Sequence, residues 1–354
     1  MKRKVFLGLL LSLALILAVA GCGTSEQAPQ ESGGGETAGD SESNEATETD
    51  TEYKIAISQY VEHPSLDATR EGILAALKDA GIEEGVNLTV DYNNAQADST
   101  NNLSIAQNIA AGDHDLVVAI ATPSAAAIVE QVTDKPVVFA AITDPLDAKL
   151  VDNLEKPGGN VTGAADTNPE AIVMLMDFIA EHFPEVKTVG VVINEGEPNA
   201  VVMTDQAEEA LAKHGIEVVR AAVTNTSEVQ QAAESLVGRA DAIYITLDNT
   251  VVSGVDAIID IANEHKIPFF SSDRDTVEKG AFATVGFKYY DHGYQAGQIV
   301  VDILKNGKNP GDIPVSFPDK LDFILNLKAA EAQGIEVTEA MKNMVQDPES
   351  NIIE

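Results

Sequence analysis

The stretch LVVAIATPSAAAIVEQ, Leu116 to Gln131, decides how the rest of the chain is read. Its opening apolar run has the length of a buried strand, it stops at Thr122-Pro123-Ser124, and a small-residue helix follows. Thr122 is placed to act as N-cap, and Pro123 fits the first helical position because its missing N–H would be unpaired there anyway. Ser124 stands beside the remaining free N–H groups. A helix start of this kind offers unpaired donors and a partial positive charge, so it can hold a carboxylate without Arg or Lys. It is also an ordinary way to begin a helix, and His63-Pro64 and Asn168-Pro169 predict helix starts of the same form.

Outward from this stretch the same unit repeats. Val/Ile-rich runs predict strands near 54 to 58, 88 to 92, 116 to 121, 136 to 142, 188 to 193, 217 to 223, 241 to 247 and 267 to 271. Helical spacing predicts helices near 65 to 80, 100 to 111, 124 to 131, 170 to 183, 200 to 214, 226 to 237 and 251 to 265. Strands apolar on nearly every residue, each followed by a helix, imply parallel sheets covered on both faces. The fold class is therefore α/β, with two doubly wound parallel-sheet domains. The alternation pauses at KPGGNVTGAADTNPEA, Lys156 to Ala171, which is the expected first crossing between them. A helix from about Tyr290 to Lys305 follows a short extended piece. The expected division is 53–165 plus 285–316 for the N-terminal domain and 166–284 plus 317–354 for the C-terminal one.

The first residues give an address. Lys2-Arg3-Lys4, an uncharged stretch from Val5 to Ala20 and then Gly21-Cys22 have the form of a signal peptide over 1–21. The apolar run is shorter than the roughly 20 residues that span a bilayer. Val19-Ala20-Gly21-Cys22 resembles the lipobox of bacterial lipoproteins, which implies cleavage before Cys22 and lipid on that residue, the only Cys in the chain. Between Gly23 and Glu52 there are nine acidic residues, no basic ones and no Val, Ile, Leu, Met or aromatic residue. Such a segment cannot build a core, and 22–52 is expected to be a disordered acidic tether. The formal net charge of -35 makes nucleic acid an unexpected partner. There is no G-x-S-x-G elbow, no His-Glu-x-x-His and no paired His spacing, so the chain is not expected to be an enzyme, to need a cofactor or to hold a metal.

Beyond the general pattern, several motifs point to one family. KIAISQYVEHPSLDATREGILAALKDAG (54–81), IATPSAAA (120–127), AAITDPLDAKLV (140–151), DAIYITLDNTV (241–251) and IPFFSSD (267–273) occur in order. Together they resemble the ABC transporter substrate-binding family whose characterised members bind aromatic amino acids, and the likeness covers nearly all of residues 53 to 340. The late return of the chain across a hinge also resembles a type I periplasmic binding protein. The resemblance implies a monomeric, extracytoplasmic lipoprotein that closes on an amino acid, Trp, Phe or Tyr, and delivers it to an ABC permease. A sensor subunit for a membrane kinase and a nucleoside or sugar receptor are the alternatives that share this fold.

Ligands in open α/β sheets sit beyond the carboxyl ends of the strands. The candidates at those positions are Ser58, Gln59, Tyr60 and Glu62 after the first strand, Thr122 and Ser124 after the third, and Asp144 after the fourth. Asp248, Asn249 and Asp273 occupy the matching places in the second domain, and Phe287 lies at the return crossing. Ser58, Thr122 and Ser124 are expected to hold a carboxylate, and Asp144 or Asp248 with Asn249 an ammonium. Tyr60 and Phe287 are expected to stack on a flat side chain.

Overall fold

The computed structural model describes residues 51–354 apart from Asn168 and Asp319. The expected signal peptide, the expected lipidation site Cys22 and the expected tether up to Asp50 lie outside the described residues. Five strands form the first sheet: β1 (Tyr53–Gln59), β2 (Leu88–Asn94), β3 (Leu116–Ile120), β4 (Val137–Ile142) and β5 (Val161–Ala165). They are parallel throughout and ordered β2-β1-β3-β4-β5. The second sheet holds β6 (Thr188–Ile193), β7 (Glu217–Ala222), β8 (Ala242–Ile245), β9 (Phe269–Ser271), β10 (Ala283–Gly286), β11 (Asp322–Asn326) and β12 (Ile352–Ile353). Its order is β12-β11-β10-β9-β8-β6-β7, and it is parallel except for the β10–β11 pair. That antiparallel strand is a departure from the purely parallel expectation.

Sequence pattern explains the placement of each strand. β3 and β4 are apolar on every residue and buried on every residue, as strands covered on both faces must be. β2, Leu-Thr-Val-Asp-Tyr-Asn-Asn, carries polar residues along its length and lies at an edge. Successive side chains go to opposite faces. Ile55, Ile57 and Val118 therefore pack with Leu66, Ile73 and Leu77 on one side. Ala56, Val117 and Ala119 pack with Ala106, Ile109 and Ile128 on the other. β5 falls inside the Gly-rich stretch expected to be only a crossing. It is a strand with little apolar bulk of its own, and a Cβ on Gly163 would lie 2.1 Å from the Phe139 carbonyl oxygen.

The chain passes between the sheets after β5, after β10 and again before β11. After β10 it forms the return helix Tyr289–Leu304, which packs on the first helix, Pro64–Asp79. The approach is close enough to require glycine on both sides. A Cβ on Gly72 would lie 2.1 Å from the Tyr290 carbonyl oxygen, and one on Gly293 would lie 2.0 Å from that of Thr69. β10 runs to Gly286, so the expected crossing at 284 to 285 falls inside this strand.

Candidate functional site

The strand order of the first sheet reverses direction between β1 and β3, which opens a crevice at their carboxyl ends. Ser124 lies there and donates its hydroxyl to the Ser58 carbonyl at 2.9 Å and to Ser58 Oγ at 2.8 Å. Both serines are fully buried, and this pair fastens the Thr122–Gln131 helix to the end of β1. Thr122 is the first helical residue and not the cap. The cap is Ala121, at φ 78° and ψ 148°, with no side chain to offer. Ala141, at the end of β4, also has positive φ, and its N–H donates to His292 Nε2 at 3.1 Å. Two non-glycine residues in this region, at adjacent strand ends, are the kind of strain that clusters at binding sites.

Across the crevice the second sheet contributes helix starts of the same construction. Asp248 caps the Asn249–Ser253 helix, accepting from Val251 N at 3.0 Å, and also accepts from Asn194 N at 2.5 Å. Burial first, and the Glu197 charge second, push its carboxyl well above the usual carboxylate range. Glu197 accepts from the N–H groups of Asn249 and Thr250 and from both of their side chains. Asp273 caps the Arg274–Lys279 helix through Thr276 N at 2.7 Å.

The two sets of loops meet around a small cavity. His63, Ser65, Thr122, Ala141 and Thr143 line it from the first sheet, Asn199, Leu247, Asn249 and Asp273 from the second, and Asp166 and Tyr289 from the crossings. Ser65 Oγ donates to Asp273 Oδ1 at 3.2 Å, and His63 Nε2 lies 3.4 Å from Asn249 Oδ1. Asp166 accepts from Thr167 Oγ1 at 3.0 Å and from the Tyr289 hydroxyl at 3.1 Å. Burial, only partly offset by these bonds, raises its pKa to about 6. An adjoining cavity shares Asp166 and Leu247 and is otherwise mostly apolar, with Leu175, Met203, Val285, Phe287 and Leu321 in its wall. Among the described residues, no Lys or Arg lines either cavity.

Thr122, Asn249 and Asp273 of the expected site residues come together in the first cavity, and Phe287 lies in the second. The others are placed elsewhere. Tyr60 is buried, packs with the core of the first sheet and sets its hydroxyl on the Ala97 carbonyl, within reach of the Glu197 and Asp248 charges across the crevice. Glu62 is exposed and accepts from Tyr92. Gln59 is buried and turns its amide to Val61 O and Asp67. Asp144 uses one oxygen to cap its own turn at Leu146 and Asp147. Asp248 lines neither cavity, because its carboxylate is taken by the two backbone donors. His63, Ser65, Asp166, Asn199 and Tyr289 were not among the expected residues. A signal for three of them was present: His63-Pro64-Ser65 and Glu197-Pro198-Asn199 repeat the form of Thr122-Pro123-Ser124.

The family model for ABC transporter substrate binding proteins matches residues 54–347. The chain belongs to this family. A tyrosine-binding protein of Clostridioides difficile (strain R20291) is 40% identical over 300 residues, 83% of this chain and 86% of its own. A crystal structure of an ABC domain in complex with L-Trp from Streptococcus pneumonia is 32% identical, with 86% of this chain and 100% of that one covered and a TM-score of 0.79. The ligand-free, open structure of a substrate-binding protein with adhesive properties from Clostridium difficile is 39% identical over 85% of this chain and 98% of that one, yet its TM-score is 0.61. This substrate-binding protein superposes more closely on the relative holding L-Trp than on the ligand-free, open one, and its fold is that of the type I periplasmic binding proteins.

Proposed function

We propose that the chain is the extracytoplasmic, lipid-anchored receptor of an ABC importer, and that it binds an amino acid with an aromatic side chain. Two lobes, one built on the first sheet with the return helix and one on the second sheet, close around the ligand, and the closed form is what a permease recognises. No bond is made or broken. The ligand acts by stabilising one of two lobe arrangements.

The observation that carries this reading is the cavity between the strand-end loops. It is lined by acids and by the start of the Thr122–Gln131 helix, has no Lys or Arg among its described lining residues, and adjoins an apolar pocket with Phe287 and Met203 in its wall. A zwitterion with a flat apolar end matches that distribution: its carboxylate at the helix start, its ammonium among the acids, its ring in the apolar pocket. The relatives that bind tyrosine and hold L-Trp support the same ligand class.

Native mass spectrometry of the purified protein, followed by calorimetry with Trp, Phe, Tyr and Leu, tests the reading. Saturable binding of at least one aromatic amino acid is expected, with related ones competing, since each apolar group contributes only about 1–3 kcal/mol to discrimination. No heat from any amino acid would overturn it. The anchor is tested separately, and Cys22→Ser should release the protein from the membrane fraction.

A further inference from the structure

The cavity between the two sheets holds more hydrogen-bond acceptors than its own donors satisfy. Asn199 Nδ2 donates to the Leu247 carbonyl at 2.7 Å and approaches Glu197 Oε2 at 3.4 Å, which fixes the amide's orientation. Its Oδ1 is left without a partner, on a residue 4% exposed. His63 is fixed in the same way. Asn249 Nδ2 donates to Glu197 at 2.6 Å, so Asn249 Oδ1 faces His63 and takes the proton of Nε2. His63 Nδ1 is then a bare acceptor, also unpartnered, on a residue 8% exposed. Burial favours this neutral form by lowering the imidazole's pKa. The Asp166 carboxylate faces the same space with two hydroxyl donors for its several lone pairs.

An unpaired buried acceptor is costly, and native structures leave few of them. Two in one cavity, beside a carboxylate and with no Lys or Arg among the lining residues, call for a group that only donates. A primary ammonium has three N–H donors and no acceptor. We propose that Asn199 Oδ1, His63 Nδ1 and the Asp166 carboxylate form the three-point cradle of the ligand's primary ammonium. The assignment rests on the amino-acid reading above and supplies its amino end, in place of Asp144 and Asp248. His63 belongs to the first sheet's loops, Asn199 to the second's and Asp166 to the crossing. One ammonium therefore draws on both halves and the hinge, and its binding is read directly as closure.

The test is calorimetry on the full folded chain with three probes: L-tyrosine, tyramine and the desamino analogue 3-(4-hydroxyphenyl)propionate. Wild type should bind the desamino analogue about 30-fold or more weakly than tyrosine, the loss typical of one missing partner in a buried charged contact. Asp166→Asn and Asn199→Leu should each lose about 10-fold or more for tyrosine and leave the weak binding of the desamino analogue unchanged, with melting curves reporting that both variants fold. Equal losses for both probes would mark these residues as structural and overturn the cradle. A desamino analogue that binds wild type as tightly as tyrosine would overturn the cradle while the aromatic receptor stands. Binding of tyramine without tyrosine would uphold the cradle and overturn the amino-acid reading. The corresponding trio built on tryptophan or phenylalanine serves if the protein prefers one of those, and binding of no aromatic amino acid overturns both.

Discussion

Ser65 donates its hydroxyl to the Asp273 carboxylate at 3.2 Å, and this bond joins the first helix of one sheet to the capping residue of a helix on the other. It is made by the protein alone, so this arrangement of the two sheets is supported before any ligand arrives. A neutral donor on a charged acceptor contributes about 1–3 kcal/mol. Ser65→Ala should therefore shift the ligand-free population toward the open form by about fivefold or more. Small-angle scattering should give a larger radius of gyration without ligand and an unchanged one at saturation. An unchanged ligand-free radius would mean that this bond does not govern closure.

The acids in the crevice set a pH dependence with two opposite signs. Asp166 is raised to about 6 by burial, with Tyr289 bonded to it and Asp273 adding its charge. Asp275 is raised to about 7, by burial first and then by Asp273 and Glu278. Both values lie above the ordinary carboxylate range near 4, so at these two sites the folded protein binds more protons than the unfolded chain between about pH 4 and 7. From these two acids, stability without ligand should rise as pH falls from 7 toward 4, while the buried imidazoles of His63 and His292, lowered by burial, act against it over the same range, so the acids' share is read as the difference between wild type and Asp166→Asn. Ligand affinity should move the other way, because an ammonium favours the charged form of Asp166, and protonation near pH 6 competes with it. Melting curves and titrations at pH 5, 6 and 7.5 check this. Asp166→Asn should remove most of the affinity trend.

The limits of the sequence reading follow from the same residues. The βα alternation was legible because each central strand is a short apolar run and each helix has a one-sided apolar face. β5 was not, because Val-Thr-Gly-Ala-Ala has almost no bulk of its own, and its burial comes from neighbours such as Phe139. The antiparallel β11 depends on a pairing between Asp322–Asn326 and a strand some 40 residues earlier, which no local pattern encodes. At the crevice, Asp144, Asp248 and Asp273 look alike in sequence, since each precedes a turn or helix. Asp144 and Asp248 turn their carboxylates to their own backbone, while Asp273 caps its helix and still faces the cavity. Asn199 and His63 matter through what their neighbours leave unpaired, and that is a tertiary property.

The return helix is the second structural lever. Gly293 meets the Thr69 carbonyl so closely that a methyl group would lie 2.0 Å from it, and backbone cannot yield as a side chain can. Gly293→Ala should force the return helix away from the first helix and destabilise the fold by about 3 kcal/mol. Denaturant unfolding measures this. Because Tyr289 opens the same helix and holds Asp166, affinity should fall as well.

Asp248 separates a capping role from a ligand role. Its carboxylate accepts from the N–H groups of Asn194 and Val251, is fully buried, and sits beside Glu197, whose charge disfavours ionisation. Asp248→Ala leaves two buried donors unpaired, at about 1–3 kcal/mol each, partly offset by relief of the repulsion from Glu197. A net loss of about 2 kcal/mol in unfolding free energy is expected. Asp248→Asn keeps one carbonyl acceptor for the cap, sets its amide N–H groups against the other backbone donor and removes the charge, so it should fold with a smaller loss of stability than Asp248→Ala and hold tyrosine within about threefold of wild type, since no ligand contact is lost. A selective loss in Asp248→Asn of 30-fold or more for tyrosine, with the desamino analogue untouched, would place the ammonium at Asp248 and remove it from Asp166.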